Sequence, residues 1–133
     1  MDINFSNKQP KNVSNSLIIL FDGKNILDQI GDNDLRNFLS NILNSLNLND
    51  RTDFNEHFTF YDSNKILRRI EICKIKNFEN INDYVYFSGR KLISYEQKPK
   101  LFINVYVEEN TKLTHHVTDI AANLALGFFL KNY

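Results

Sequence analysis

Apolar and polar positions follow three rhythms along this chain, and each predicts a different kind of element. Residues 17–21, Leu-Ile-Ile-Leu-Phe, are an unbroken apolar run closed by Asp22-Gly23. That is the pattern of a strand buried on both faces and followed by a turn. Helical spacing takes over next. Leu35, Phe38, Leu39, Ile42, Leu43 and Leu46 share one face, Arg36, Asn37, Ser40, Asn41 and Asn44 the other, and Asp32 or Asn33 stands where a cap is needed. Two-residue alternation appears in residues 56–61, where Phe58 and Phe60 alternate with His57, Thr59 and Tyr61. Residues 66–73 form a second such run, with Ile66, Ile70 and Ile72 sharing parity with Arg68. The short connection Asp62-Ser63-Asn64-Lys65 predicts an antiparallel hairpin.

The remaining elements fill in the order. A short strand is expected near residues 3–5, followed by a polar loop over 7–16 containing Pro10. A helix over residues 81–95 has Asn80 as its cap and Ile81, Tyr84, Val85, Ser88, Gly89 and Leu92 as its inner stripe. The small residues in that stripe would let it approach a sheet closely. Pro99 opens a strand over 101–107, and Thr114 is placed to cap a last helix over 117–130. Strands alternating with helices, interrupted by one hairpin, predict a single three-layer α/β domain over residues 1–133, with a mixed, partly parallel sheet flanked by helices.

Composition narrows the class. The 133 residues are 42% hydrophobic and 24% charged, with 16 Lys plus Arg against 16 Asp plus Glu. A globular domain fits, whereas a disordered tail or a disulfide scaffold does not. Zero formal charge removes the long-range field of a dedicated nucleic-acid binder. Arg68-Arg69 and Lys74-Lys76 are interleaved with acids, so no nucleic-acid surface is expected. The 20 Asn against three Ala look like drift in an AT-rich genome rather than a functional tract. No apolar stretch is long enough for a membrane helix, and no basic-then-apolar leader opens the chain, so a cytoplasmic location is expected.

Self-sufficient chemistry is missing from the motifs. Cys73 is the single cysteine and closes an Ile-rich strand, where a free thiol behaves as a small hydrophobe. His115 and His116 are adjacent, and neighbours on a helix diverge by about 100°; with His57 they make no metal-ligand spacing. Glu108-Glu109 follows a strand end and reads as a solvated turn. Gly23, Gly31, Gly89 and Gly127 are scattered, and none builds a Gly-rich phosphate loop. No catalytic residue and no metal ligand is therefore assigned.

The end of the chain is more informative. Val117, Ile120, Ala121, Leu124 and Phe128 fall on one face of the last helix, while Ala122, Leu126, Phe129 and Leu130 fall on the other. A helix apolar on two sides is buried on two sides, so Leu126, Phe129 and Leu130 are assigned as an interface. The chain stops at Lys131-Asn132-Tyr133, in the manner of a cut at a domain boundary.

Gly127-Phe128-Phe129-Leu130-Lys131-Asn132-Tyr133 resembles the Gly-x-x-Leu-x-x-Tyr that closes the N-terminal domain in the leucyl (cytosol) aminopeptidase family. The stretch Asp119-Ile120-Ala121-Ala122-Asn123-Leu124-Ala125-Leu126 is similar to the Ala-rich helix that precedes it there. The family's early apolar strand with an acidic-Gly-Lys turn is similar to residues 17–24, and the element order agrees over essentially the whole chain. The family carries a Gly-containing turn after the strand at 66–73, where this chain has Lys74-Ile75-Lys76-Asn77.

The resemblance implies a macrodomain-like fold that helps build a hexamer. It places peptide hydrolysis in a separate C-terminal domain, on two divalent metals (Zn or Mn) held by Lys, Asp and Glu in a segment with an Asn-Thr-Asp-Ala-Glu-Gly-Arg motif. No such segment occurs here, so no cofactor is expected in this chain. The expected partners are the C-terminal catalytic domain of the same polypeptide and further copies of the chain. The alternative is a free-standing macrodomain-like module that binds a nucleotide of the ADP-ribose type.

Overall fold

In a computed structural model of the chain, residues 2–3, 15–46, 54–91 and 102–132 are described. They build the three-layer α/β fold with a mixed sheet. The strands are β1 (Asp2–Ile3), β2 (Asn15–Leu20), β3 (Phe54–Tyr61), β4 (Leu67–Lys74) and β5 (Phe102–Val107). The helices are α1 (Ile26–Gln29), α2 (Asn33–Leu43), α3 (Asn82–Lys91) and α4 (Val117–Asn132). Strand order is β1-β5-β2-β4-β3. Every neighbouring pair is parallel except β3 with β4, which forms the hairpin.

β2 owes its apolar run to its place between β4 and β5, with a helical layer on each face. Ile18 and Leu20 point to one layer, where they meet Ile26 and Ile30 near α1, Leu35 and Leu39 of α2, and Ile70 and Ile72 of β4. Leu17 and Ile19 point to the other, with Cys73, Tyr84 of α3, and Ile120, Leu124 and Phe128 of α4. Ile18, Ile19 and Leu20 are wholly buried, worth about 1.5–3 kcal/mol each.

Local chemistry explains the ends of the elements. Asp32 caps α2, accepting from the Leu35 N–H at 3.2 Å. The hairpin turns through Lys65 in the left-handed region (φ 62°), while the Asp62 carboxylate accepts from the N–H groups of Asn64 and Ile66. Phe38 of α2 stacks on Phe60 at 4.5 Å and meets the edge of Phe58, which fixes the hairpin's inner face. Asn80 accepts from the Asn82 N–H at the start of α3.

Three expectations need correction. The turn of helix at Ile26–Gln29 has no counterpart in the sequence pattern. The cap of α4 is His116, whose Nδ1 accepts from the Thr118 N–H, while the Thr114 N–H donates to Asn77 Oδ1. The small residues of α3 serve α4 rather than the sheet. A Cβ on Gly127 would overlap the Val85 carbonyl and the Ser88 hydroxyl, and a Cβ on Gly89 would stand 3.6 Å from the Gly127 carbonyl oxygen. Phe5, the loop at 7–14, Leu92, the end of the helix drawn to Tyr95, Pro99 and the first residue of the strand drawn from 101 lie outside the described residues.

Candidate functional site at the carboxyl end of the sheet

β2 and β5 are neighbours whose outgoing connections lead to helices on opposite faces, α1 and α2 on one, α4 on the other. Open α/β sheets bind ligands outside the carboxyl ends of such a pair, where the connections part. A cleft of about 750 Å³ lies here, with Asn25, Gln29, Glu109, Asn110, Thr114 and His115 among its lining.

The chain's own side chains occupy the centre of this region. Glu108, the first residue past β5, is fully buried. Its Oε1 accepts from the backbone N–H groups of Phe21 (2.9 Å), Asp22 (3.0 Å) and Gly23 (3.0 Å). Its Oε2 accepts from the Asn25 N–H at 3.0 Å. Convergent loop N–H groups form a nest for an anion, and Gly23, at φ 78°, gives the loop the left-handed residue the curl needs. The anion in this nest is Glu108. A buried carboxylate requires such compensation, and charge-assisted bonds are the strong ones.

Further bonds tie the same loops together. Gln29 donates to the Val107 carbonyl (2.9 Å) and accepts from the Glu109 N–H (2.7 Å). Asn25 donates to the Glu109 carbonyl, and Asn110 to the Asp22 carboxylate. Asn77, after β4, donates to the Lys112 carbonyl, and His115 Nε2 lies 2.6 Å from the Glu79 carbonyl oxygen. The loops following β2, β4 and β5 are thus one knitted plate.

Glu108-Glu109 is therefore not a solvated turn: Glu109 is exposed, but Glu108 is an internal strut. Its bonds span 83 to 87 residues, and the only sequence signal was an acid at the end of an apolar strand. Arg68, one of the basic residues beside Arg69 on β4, is nearly buried, and its Nη2 donates to Asp32 Oδ2 at 2.6 Å. Its guanidinium also lies 5.5 Å from the Phe60 ring centre. Partial burial acts to raise the Asp32 pKa, but the hydrogen bond and charge of Arg68 and the Leu35 N–H outweigh it and hold the carboxyl below its ordinary value.

Cys73 is fully buried, and burial, reinforced by Glu71, pushes its thiol far above the usual range. The three histidines stay apart in role: His57 faces Glu71 (3.8 Å), His115 bonds the Glu79 carbonyl, and His116 caps α4. Among the described residues, no three His, Cys, Asp or Glu side chains converge as metal ligands, and no helix is long and apolar enough to cross a membrane.

The second region of interest is the outer face of α4. Ile120, Leu124 and Phe128 are buried, as the stripe predicts, while Leu126, Phe129 and Leu130 are 47%, 49% and 61% exposed. Spacings of three and four residues put these on one face. The hairpin bears a second set, Tyr61, Ile66 and Leu67, at 71%, 47% and 39%; Ile66, grouped by parity with the buried Ile70 and Ile72, lies exposed because it precedes β4 at the turn of the hairpin.

The fold and this end of the sheet define a three-layer α/β domain whose backbone nest beside the crossover cleft is filled by its own carboxylate. No family model matches the chain, and comparison with curated proteins and with solved structures yields no match.

Proposed function

We propose that this chain is the non-catalytic, macrodomain-like N-terminal assembly domain of a leucyl aminopeptidase-like metallopeptidase of the cytoplasm. In this reading the outer face of α4 packs on the C-terminal catalytic domain or on a neighbouring subunit of a homo-oligomer. The observation that carries it is the exposure of Leu126, Phe129 and Leu130 on a helix whose other side is already buried in the domain. Three large apolar side chains on one face make the kind of patch that marks an interface. The two divalent metals of the family, Zn or Mn, belong in this reading to the catalytic domain. The alternative, a free-standing nucleotide-binding module, is disfavoured by Glu108, since the donors that would hold a phosphate already hold a carboxylate.

The chain is expected to self-associate when purified. Replacing Leu126 and Leu130 together by Ser should leave its melting temperature within a few degrees and make it more monomeric in sedimentation velocity. Leu124→Ser, in the buried stripe, should unfold it, since removing a buried Leu side chain costs about 2–5 kcal/mol. Loss of fold in the double variant equal to that of Leu124→Ser would make the second face ordinary core. Saturable low-micromolar binding of ADP-ribose in calorimetry would favour the module instead.

A further inference from the structure

We propose that Glu108 is a built-in anion that locks the carboxyl end of the sheet: the loop after β2 is an anion cradle, and the chain holds it closed with its own carboxylate. The N–H groups of Phe21, Asp22, Gly23 and Asn25 belong to a loop rather than to a ladder of the sheet, and all four end on Glu108. The backbone at Glu108 is fixed independently, since its N–H donates to the Ile19 carbonyl at 3.0 Å. The side chain is therefore delivered by the sheet, and the loop folds around it.

Geometry makes charge the relevant property. Three of the donors converge on Oε1 alone, an arrangement that suits an anionic oxygen. The donors belong to residues 21 to 25 and the acceptor to residue 108, so the carboxylate ties the connection between β2 and α1 to the end of β5. That tie is what turns the crossover cleft into part of a knitted surface, and it shuts free phosphates and carboxylates out of the cradle. The device is independent of the assembly reading and stands or falls on its own test.

The test is chemical rescue in the full chain. Glu108→Ala deletes the carboxylate and leaves room for a small anion, while Glu108→Gln keeps the shape without the charge. Melting temperatures are read in sodium formate and in inorganic phosphate against sodium chloride at matched ionic strength. Glu108→Ala is expected to melt roughly 10 °C or more below the wild type in chloride, because several buried donors lose their acceptor. It should recover part of that loss saturably in formate, as mass action requires of a ligand that binds the folded state. The wild type and Glu108→Gln should show no formate-specific shift, and Glu108→Gln should melt below the wild type, its amide setting a donor against one of the loop N–H groups.

If Glu108→Ala does not fold in chloride, refolding yield from urea in formate against chloride is the readout, with formate raising it. A Glu108→Ala chain as stable as the wild type, absence of rescue in either format, or Glu108→Gln as stable as the wild type would each overturn the proposal.

Discussion

The carboxyl end of the sheet and the outer face of α4 treat solvent in opposite ways. At the first, the chain spends its polar groups on itself: a buried carboxylate, two Asn side chains and Gln29 knit the loops after β2 and β5. At the second, three large apolar side chains stand half-exposed. In many α/β domains the contrast runs the other way, with open polar groups where the connections part and apolar groups hidden. The reversal separates the two functional classes weighed for this chain. A domain that binds a small ligand leaves donors open at its crossover point, whereas a domain that assembles leaves apolar area open on its flank.

The comparison depends on α4 being seated as a rigid element, and Gly127 is the residue that seats it. A methyl group there would run into the Val85 carbonyl and the Ser88 hydroxyl of α3, and backbone cannot step aside as a side-chain end can. Gly127→Ala is expected to cost about 3 kcal/mol, at the upper end of what overpacking does, despite Ala's better helix propensity. Gly89→Ala meets only an ordinary 3.6 Å contact and should be neutral or stabilising by up to about 1 kcal/mol. Thermal or urea melts of the pair check this. Equal losses would mean that the two helices do not meet at Gly127. The same contact gives a physical reason for the glycine that opens the terminal motif.

A smaller effect probes the knitted end. Gln29→Ala removes a donor to the Val107 carbonyl and an acceptor for the Glu109 N–H. The bond to Val107 is part-buried and the one from Glu109 is exposed, so water replaces part of what is lost and the expected cost is about 1 kcal/mol. Hydrogen exchange should locate it, with amides of α1 opening faster while those of β2 keep their protection. Uniform acceleration across both would show that the plate does not open as a separate unit.

What was legible beforehand follows from the range of the interactions. α2, the hairpin and the buried stripe of α4 are written in spacings of two to four residues, and these were read from the pattern. α1 is a single turn, too short to show a period, and it is held by Gln29 reaching residues 107 and 109. Glu108 leaves no local signal because its four donors lie 83 to 87 residues away, and a strand-end acid looks the same whether it meets water or a loop. The cap of α4 differs for a nearer reason: Thr114 has the commoner capping side chain, but α4 begins at Val117, so the cap position falls on His116, whose Nδ1 accepts from the Thr118 N–H.

The third region, the start of α2 beside β4, uses a charged partner where the carboxyl end uses backbone, and this gives the smallest expected effect. Asp32 accepts from Arg68 and from the Leu35 N–H, and its pKa is held below the ordinary value. A carboxyl whose folded pKa lies below its unfolded one contributes stability that is complete above the unfolded value. That contribution fades as pH falls through the lower folded value. Between pH 5 and pH 2.5 the wild type should therefore lose more stability than Asp32→Asn, whose cap oxygen remains but does not titrate. Asp32→Asn should itself be less stable at pH 7 and approach the wild type in acid. Urea melts across that range would show the two curves converging. Parallel curves would mean that the Arg68–Asp32 contact adds nothing that depends on charge.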